Sequence, residues 1–168
     1  MTTTILRPPL VDSDWIAGRL DDGTTRIVEI DVAPGAYREG HIPGAVLWNI
    51  YADLRAPAYA PIDTEALEAL LSRSGVRPET TVVFYGYGAH LGYWLLRSHG
   101  HTEVRLMDGP REQWLQTVRE WSLEEPTPEA TAYPLRPPDP GMYVSSRDVL
   151  AMIGTDGAAI HSTAWFGK

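Results

Sequence analysis

The stretch Thr81-Val82-Val83-Phe84-Tyr85-Gly86-Tyr87-Gly88-Ala89-His90-Leu91-Gly92-Tyr93-Trp94-Leu95-Leu96 decides the fold class. Its first five residues are all β-branched or aromatic, the composition of a buried strand. Gly86 and Gly88 then punctuate the chain. An apolar helix follows through Tyr93, Trp94, Leu95 and Leu96 until Gly100 stops it. A strand joined to a helix by a short glycine loop is the start of a βαβ unit.

The flanks repeat this unit. Upstream, Val11 starts a short extended segment, and Asp12 or Ser13 can cap a helix over 14–20 that Asp21-Asp22-Gly23 ends. Arg26–Asp31 and Ala45–Ile50 read as strands, and Leu67, Leu70 and Leu71 form a helical stripe within 64–74, closed by Gly75. Downstream, Glu103–Met107 reads as a strand and Arg111–Trp121 as a helix. This alternation specifies a three-layer α/β domain with a mostly parallel five-stranded sheet.

Six of the 14 prolines lie between Pro126 and Pro140, which predicts a semi-rigid linker over 126–142 and a domain over 1–125. Beyond it, Val144-Ser145-Ser146-Arg147-Asp148-Val149-Leu150 and Thr155-Asp156-Gly157 echo Val11–Ile16 and Asp21-Asp22-Gly23, each followed by an apolar run. Residues 143–168 therefore read as the truncated start of a second repeat. One helix and one strand cannot bury their own apolar faces, and Trp165-Phe166 add two large rings there.

With 43% apolar residues the chain can build a packed core, and its net charge of -8 is interspersed. A nucleic-acid-binding surface would need a basic stripe that is absent from this pattern. No run reaches the ~18 apolar residues of a membrane span. Met1–Leu10 holds one arginine and no apolar segment of a secretory signal, so the expectation is a cytoplasmic, unanchored protein. There is no cysteine anywhere. That excludes disulfides, thiolate metal sites, iron–sulfur clusters and cysteine nucleophiles together. The scattered histidines offer no metal site, and no cofactor is expected.

Three segments carry a resemblance. They are Glu29-Ile30-Asp31 with the turn Gly40-His41-Ile42-Pro43-Gly44-Ala45; the strand and glycine loop quoted above; and Gly100-His101, Val104-Arg105-Leu106, Asp108-Gly109 and Trp114. In order and spacing they resemble the rhodanese-like thiosulfate sulfurtransferases, and most closely the N-terminal domain of two-domain members. Pro110 departs from the family, which usually has a second glycine there. The resemblance implies sulfane-sulfur transfer through a persulfide on a loop cysteine, held in a cradle of backbone N–H groups. Gly86 stands where that cysteine would be. The resemblance therefore implies a non-catalytic half, since N-terminal domains of two-domain members commonly lack the cysteine.

The loop Gly86-Tyr87-Gly88-Ala89-His90 is the leading candidate for binding an anionic or sulfur-containing ligand. His90, Asp31 and His161 are the acid–base candidates: His90 near the helix start, Asp31 at a strand end, His161 at the end of the second repeat's strand. Asp31 serves equally well as a loop anchor, and His90 as a solvated side chain. His41 and His101 are read as structural, and Trp48, Trp94, Trp114 and Trp121 as core.

The expected function is the cysteine-less half of a split sulfurtransferase, shaping a cleft for a second polypeptide whose rhodanese-like domain bears the cysteine. Two alternatives stand beside it: a cysteine-independent enzyme using His90, Asp31 and His161, and a ligand-binding or interaction domain.

Overall fold

Five parallel strands build the sheet of the computed structural model, which describes residues 9–117 and 119–155. They are β1 (Leu10–Val11), β2 (Thr25–Asp31), β3 (Val46–Asn49), β4 (Thr81–Tyr85) and β5 (Val104–Met107), in the order β1-β5-β4-β2-β3. Every pairing is parallel, and the register sets Val28 opposite Phe84, Glu29 opposite Tyr85, and Asp31 opposite Asn49.

Helices cover both faces of the sheet, which explains why β4 carries a continuous apolar run and why Ile27–Ile30 of β2 is buried on both faces. Successive side chains point to opposite faces. Val28, Ile30, Trp48, Val82 and Phe84 pack on Leu67, Leu70 and Leu71 of α4 (Thr64–Arg73) and on Leu95 and Leu96 of α5 (Ala89–Ser98). On the other face, Ile27, Val83 and Tyr85 meet Ile16 of α1 (Ser13–Ala17), Ile42 and Trp114.

Three elements differ from the sequence expectation. A short α2 (Gly35–Glu39) precedes the Gly40–Ala45 turn. The strand expected to reach Ile50 stops at Asn49, whose Oδ1 accepts from the Tyr51 and Ala52 N–H groups and so caps α3 (Ile50–Asp53). In place of the helix expected over 111–121, Arg111–Thr117 forms a 3₁₀ helix. Tertiary contacts override helix propensity here: Trp114 is buried, and Ser122 exchanges backbone hydrogen bonds with His41.

The proline-rich segment is irregular apart from a 3₁₀ turn at Pro140–Met142, yet it is tied to the domain. Thr131 donates to the Ser72 carbonyl (3.1 Å), Leu135 N–H to Glu68 Oε1 (2.7 Å), and Asp139 N–H to the Ser98 carbonyl (2.7 Å). It forms a strap across α4 and α5. After it, α6 (Ser146–Met152) carries a capping box between Ser145 and Asp148 but buries none of its residues. Trp48 and Trp114 are buried, whereas Trp94 and Trp121 are only half-buried. The expected strand at 158–160, His161 and Trp165-Phe166 lie outside the described residues.

Candidate functional site

The candidate site starts at the C-terminal ends of β2, β3 and β4, where parallel sheets present ligand groups. Gly86 leaves β4 with φ +88°, a backbone region that favours glycine. A Cβ at this position would lie 2.9 Å from the Ile30 carbonyl oxygen and 3.3 Å from Glu29 Cγ. A side chain at Gly86 would thus meet the neighbouring strand directly. Gly88 N–H donates to the Ile30 carbonyl (3.0 Å) and Ala89 N–H to the Gly86 carbonyl (3.3 Å). The connection from β4 to α5 is only Gly86-Tyr87-Gly88, with these two amides bonded inside the chain.

His90 and Tyr87 face a cleft of about 430 Å³, with Tyr51, Tyr59 and Arg55 on its other sides. Arg55 Nη1 donates to the Tyr59 carbonyl (2.7 Å), while its buried Nε has no hydrogen-bond partner. Tyr59 is the one non-glycine among the described residues with positive φ (61°), a strained conformation of the kind that concentrates at functional sites. It is held by a narrow loop: Ala56 N–H donates to the Ala60 carbonyl (2.7 Å) and Ile62 N–H to the Leu54 carbonyl (3.3 Å). The lining has a guanidinium, an imidazole and three phenols, and no carboxylate. Such a set suits a small anion. It contains no thiol, serine or threonine to act as a nucleophile.

Asp31 is not part of that lining. Its Oδ1 accepts from the N–H of Val32 (2.6 Å), which fits the loop-anchoring role. His90 and Asp31 are therefore not assembled into an acid–base pair, and His161 lies outside the described residues. His41 is fully buried, with Nδ1 2.8 Å from the Tyr37 carbonyl, Nε2 3.0 Å from the Glu124 carbonyl, and its ring stacked on Tyr37 at 3.9 Å. Burial, with Glu125 and Glu29 adding to it, pushes the Tyr37 phenol up to about 12.

Sequence reading passed over the ion pair beneath this end of the sheet. Glu29 is fully buried, and its Oε1 accepts from Arg111 Nε at 2.8 Å. Arg111 also donates to the Ala36 (2.8 Å) and Gly40 carbonyls and lies over the Trp121 ring at 4.4 Å. Burial, followed by this carboxylate, raises the Tyr85 phenol far above its usual range. Glu29 and Arg111 stand 82 residues apart, so no spacing signal links them. Arg55 and Tyr59 were equally silent, because their loop has no periodicity.

The rhodanese-like domain pattern matches residues 12–117. The chain belongs to the rhodanese-like domain family. It is 34% identical over 151 residues to a protein of Mycolicibacterium smegmatis named as a thiosulfate sulfurtransferase, covering 87% of this chain and 54% of that one. It is 36% identical over 151 residues to the protein of Mycobacterium tuberculosis named as thiosulfate sulfurtransferase SseA, covering 86% and 51%. The chain thus spans about half the length of the curated relatives it matches. Among solved structures, the SseA 3-mercaptopyruvate sulfotransferase of Escherichia coli superposes with a TM-score of 0.69 at 25% identity, over 86% of this chain and 61% of that one. The anaerobic ergothioneine biosynthesis enzyme of Chlorobium limicola shares the fold, with a TM-score of 0.76 at 22% identity over 93% and 44%. This rhodanese-like domain has no cysteine, which fits a non-catalytic form. None of its described helices is long and apolar enough to cross a membrane.

Proposed function

We propose that this chain is the non-catalytic half of a thiosulfate-type sulfurtransferase. It shapes one wall of the active-site cleft, and a second rhodanese-like domain, continuous with it or on another polypeptide, bears the persulfide. In that reaction the partner's thiolate attacks the sulfane sulfur of thiosulfate, the S–S bond breaks, and sulfite leaves with the electron pair. A thiophilic acceptor then takes the sulfur and regenerates the thiolate. The Arg55 and His90 side chains serve the anion, not the covalent step.

The observation that carries this reading is the closure of position 86. The nucleophile is missing, and even a Cβ at its position would crowd the Ile30 carbonyl oxygen at 2.9 Å. The exposed apolar residues of α6 and its C-cap support it, with Leu150 at 70% and Ile153 at 63% exposure, since a second domain would cover them.

The test is the native mass of the assembly purified from its own host, with every copurifying domain identified. Sulfur transfer from thiosulfate to cyanide is then measured with and without the cysteine-bearing domain. A rhodanese-like companion that is required for thiocyanate formation supports the proposal. Full activity from this chain alone, or a lone assembly with no thiol in it, overturns it.

A further inference from the structure

A second cavity, of about 540 Å³, lies between the start of α4, the later half of α5 and the strap at 138–143. It shares no lining residue with the Arg55 cleft. Its volume is that of a small-molecule site. Trp94 and Tyr143 supply aromatic walls, their ring centroids 6.1 Å apart at 39°. The Trp94 indole N–H donates to the Met142 carbonyl (2.8 Å) and is held to the strap.

His99, only 5% exposed, is the buried polar group of this cavity. Its Nδ1 lies 2.9 Å from the Leu95 carbonyl, which can only accept, so Nδ1 carries the proton and Nε2 of the neutral ring is an acceptor. The neighbour of Nε2 is the Thr64 hydroxyl at 3.5 Å, well beyond the usual ~2.8 Å of a hydroxyl hydrogen bond. Nε2 thus has only a long, weak donor in the Thr64 hydroxyl, one that a closer N–H displaces.

The remaining polar groups have the same sense. Asp63 and Asp139 each spend Oδ1 on a backbone N–H, those of Ala66 and Gly141, and are otherwise exposed. Ser98 already donates its hydroxyl to the Leu95 carbonyl (2.8 Å). No lysine or arginine lines the cavity. Carboxylates, a ring-nitrogen acceptor and two aromatic faces together complement a cation that carries N–H donors.

We propose that this cavity binds a primary organic ammonium with an aromatic body. The ammonium lies toward Asp63, Asp139 and His99 Nε2, and the body rests on Trp94 and Tyr143. Because the cavity is separate from the Arg55 cleft, the proposal stands or falls independently of the sulfurtransferase reading.

Calorimetric titration of the full chain with 2-phenylethylammonium chloride tests it, with 3-phenylpropionate as the anion of matching shape. The expected result is saturable binding of one ammonium per chain and none of the carboxylate. Tyr143→Ala, at a half-exposed position, weakens the ammonium about 10-fold. Asp139→Asn weakens it about 3-fold while far-UV circular dichroism stays unchanged. Absence of saturable binding, equal binding of the carboxylate, or full affinity in both folded variants overturns the proposal.

Discussion

Replacing Gly86 by cysteine puts back the residue type that persulfide chemistry uses, and it should return no activity. At φ +88° a non-glycine residue is strained by about 1–3 kcal/mol. The new Cβ would also stand 2.9 Å from the Ile30 carbonyl oxygen and 3.4 Å from the Ile30 amide nitrogen. Those atoms belong to β2, which is paired with β4 from Thr25–Thr81 to Glu29–Tyr85, so the strand cannot retreat without opening the centre of the sheet. Overpacking of this kind costs about 1–3 kcal/mol more. The combined loss is about 2–6 kcal/mol, a large share of the ~5–15 kcal/mol that holds a typical domain together. In a chain of this length that corresponds to a melting temperature lower by roughly 5–20 °C. Gly86→Ala, which adds the same Cβ without a thiol, should fall by nearly as much. Thermal melting of both variants measures this. Intact mass after incubation with thiosulfate reports any persulfide, and cyanide then reports transfer. With the Gly88 and Ala89 amides bonded inside the chain, no thiocyanate is expected. A Gly86→Cys protein that melts like the parent, gains a sulfur atom and yields thiocyanate would refute both the steric argument and the non-catalytic reading.

Arg111→Met leaves the fully buried Glu29 carboxylate without its cation and should cost about 3–5 kcal/mol in urea unfolding; a loss below about 1 kcal/mol would show that the pair is not desolvated. Stability should also fall on acidification through His101. Burial lowers its pKa from the ordinary 6.5, although the Thr80 carbonyl at 2.9 Å from Nε2 opposes this. Below 6.5 the unfolded chain therefore takes up the proton first. The neutral ring's contribution is complete above about 6.5 and is lost as the pH drops toward the lower folded value, a slope that His101→Gln should flatten in melts between about pH 5 and 7.5. In the assembly with a cysteine-bearing domain, Arg55→Gln should raise KM for thiosulfate about 10-fold with kcat little changed, because the guanidinium holds the anion without joining the covalent step; an unchanged KM would remove Arg55 from the site.

Much of the fold was written locally. Thr81–Tyr85, Arg26–Asp31 and the Leu67-Leu70-Leu71 stripe report burial through periodicity, and the structure places them in β4, β2 and α4. The Gly40–Ala45 turn and the glycine at 86 are single-chain signals as well, and they carried the family and the missing nucleophile. Local pattern misled at 111–121: the helical spacing there was real, but Trp114 turns into the core and Arg111 is held by Glu29 from β2.

What the sequence by itself determined is the alternation of strand and helix, the parallel sheet that follows from it, and a chain that brings no thiol of its own. Only the tertiary structure brought Arg55 and Tyr59 to His90, set Arg111 on Glu29, and laid the proline strap over His99 and Trp94. The reason is physical. Period and propensity record how each residue meets its own neighbourhood, whereas a site is a meeting of side chains from separate crossovers. Residues 35 to 100 apart leave no mark on one another in the linear pattern until the sheet order β1-β5-β4-β2-β3 brings them together.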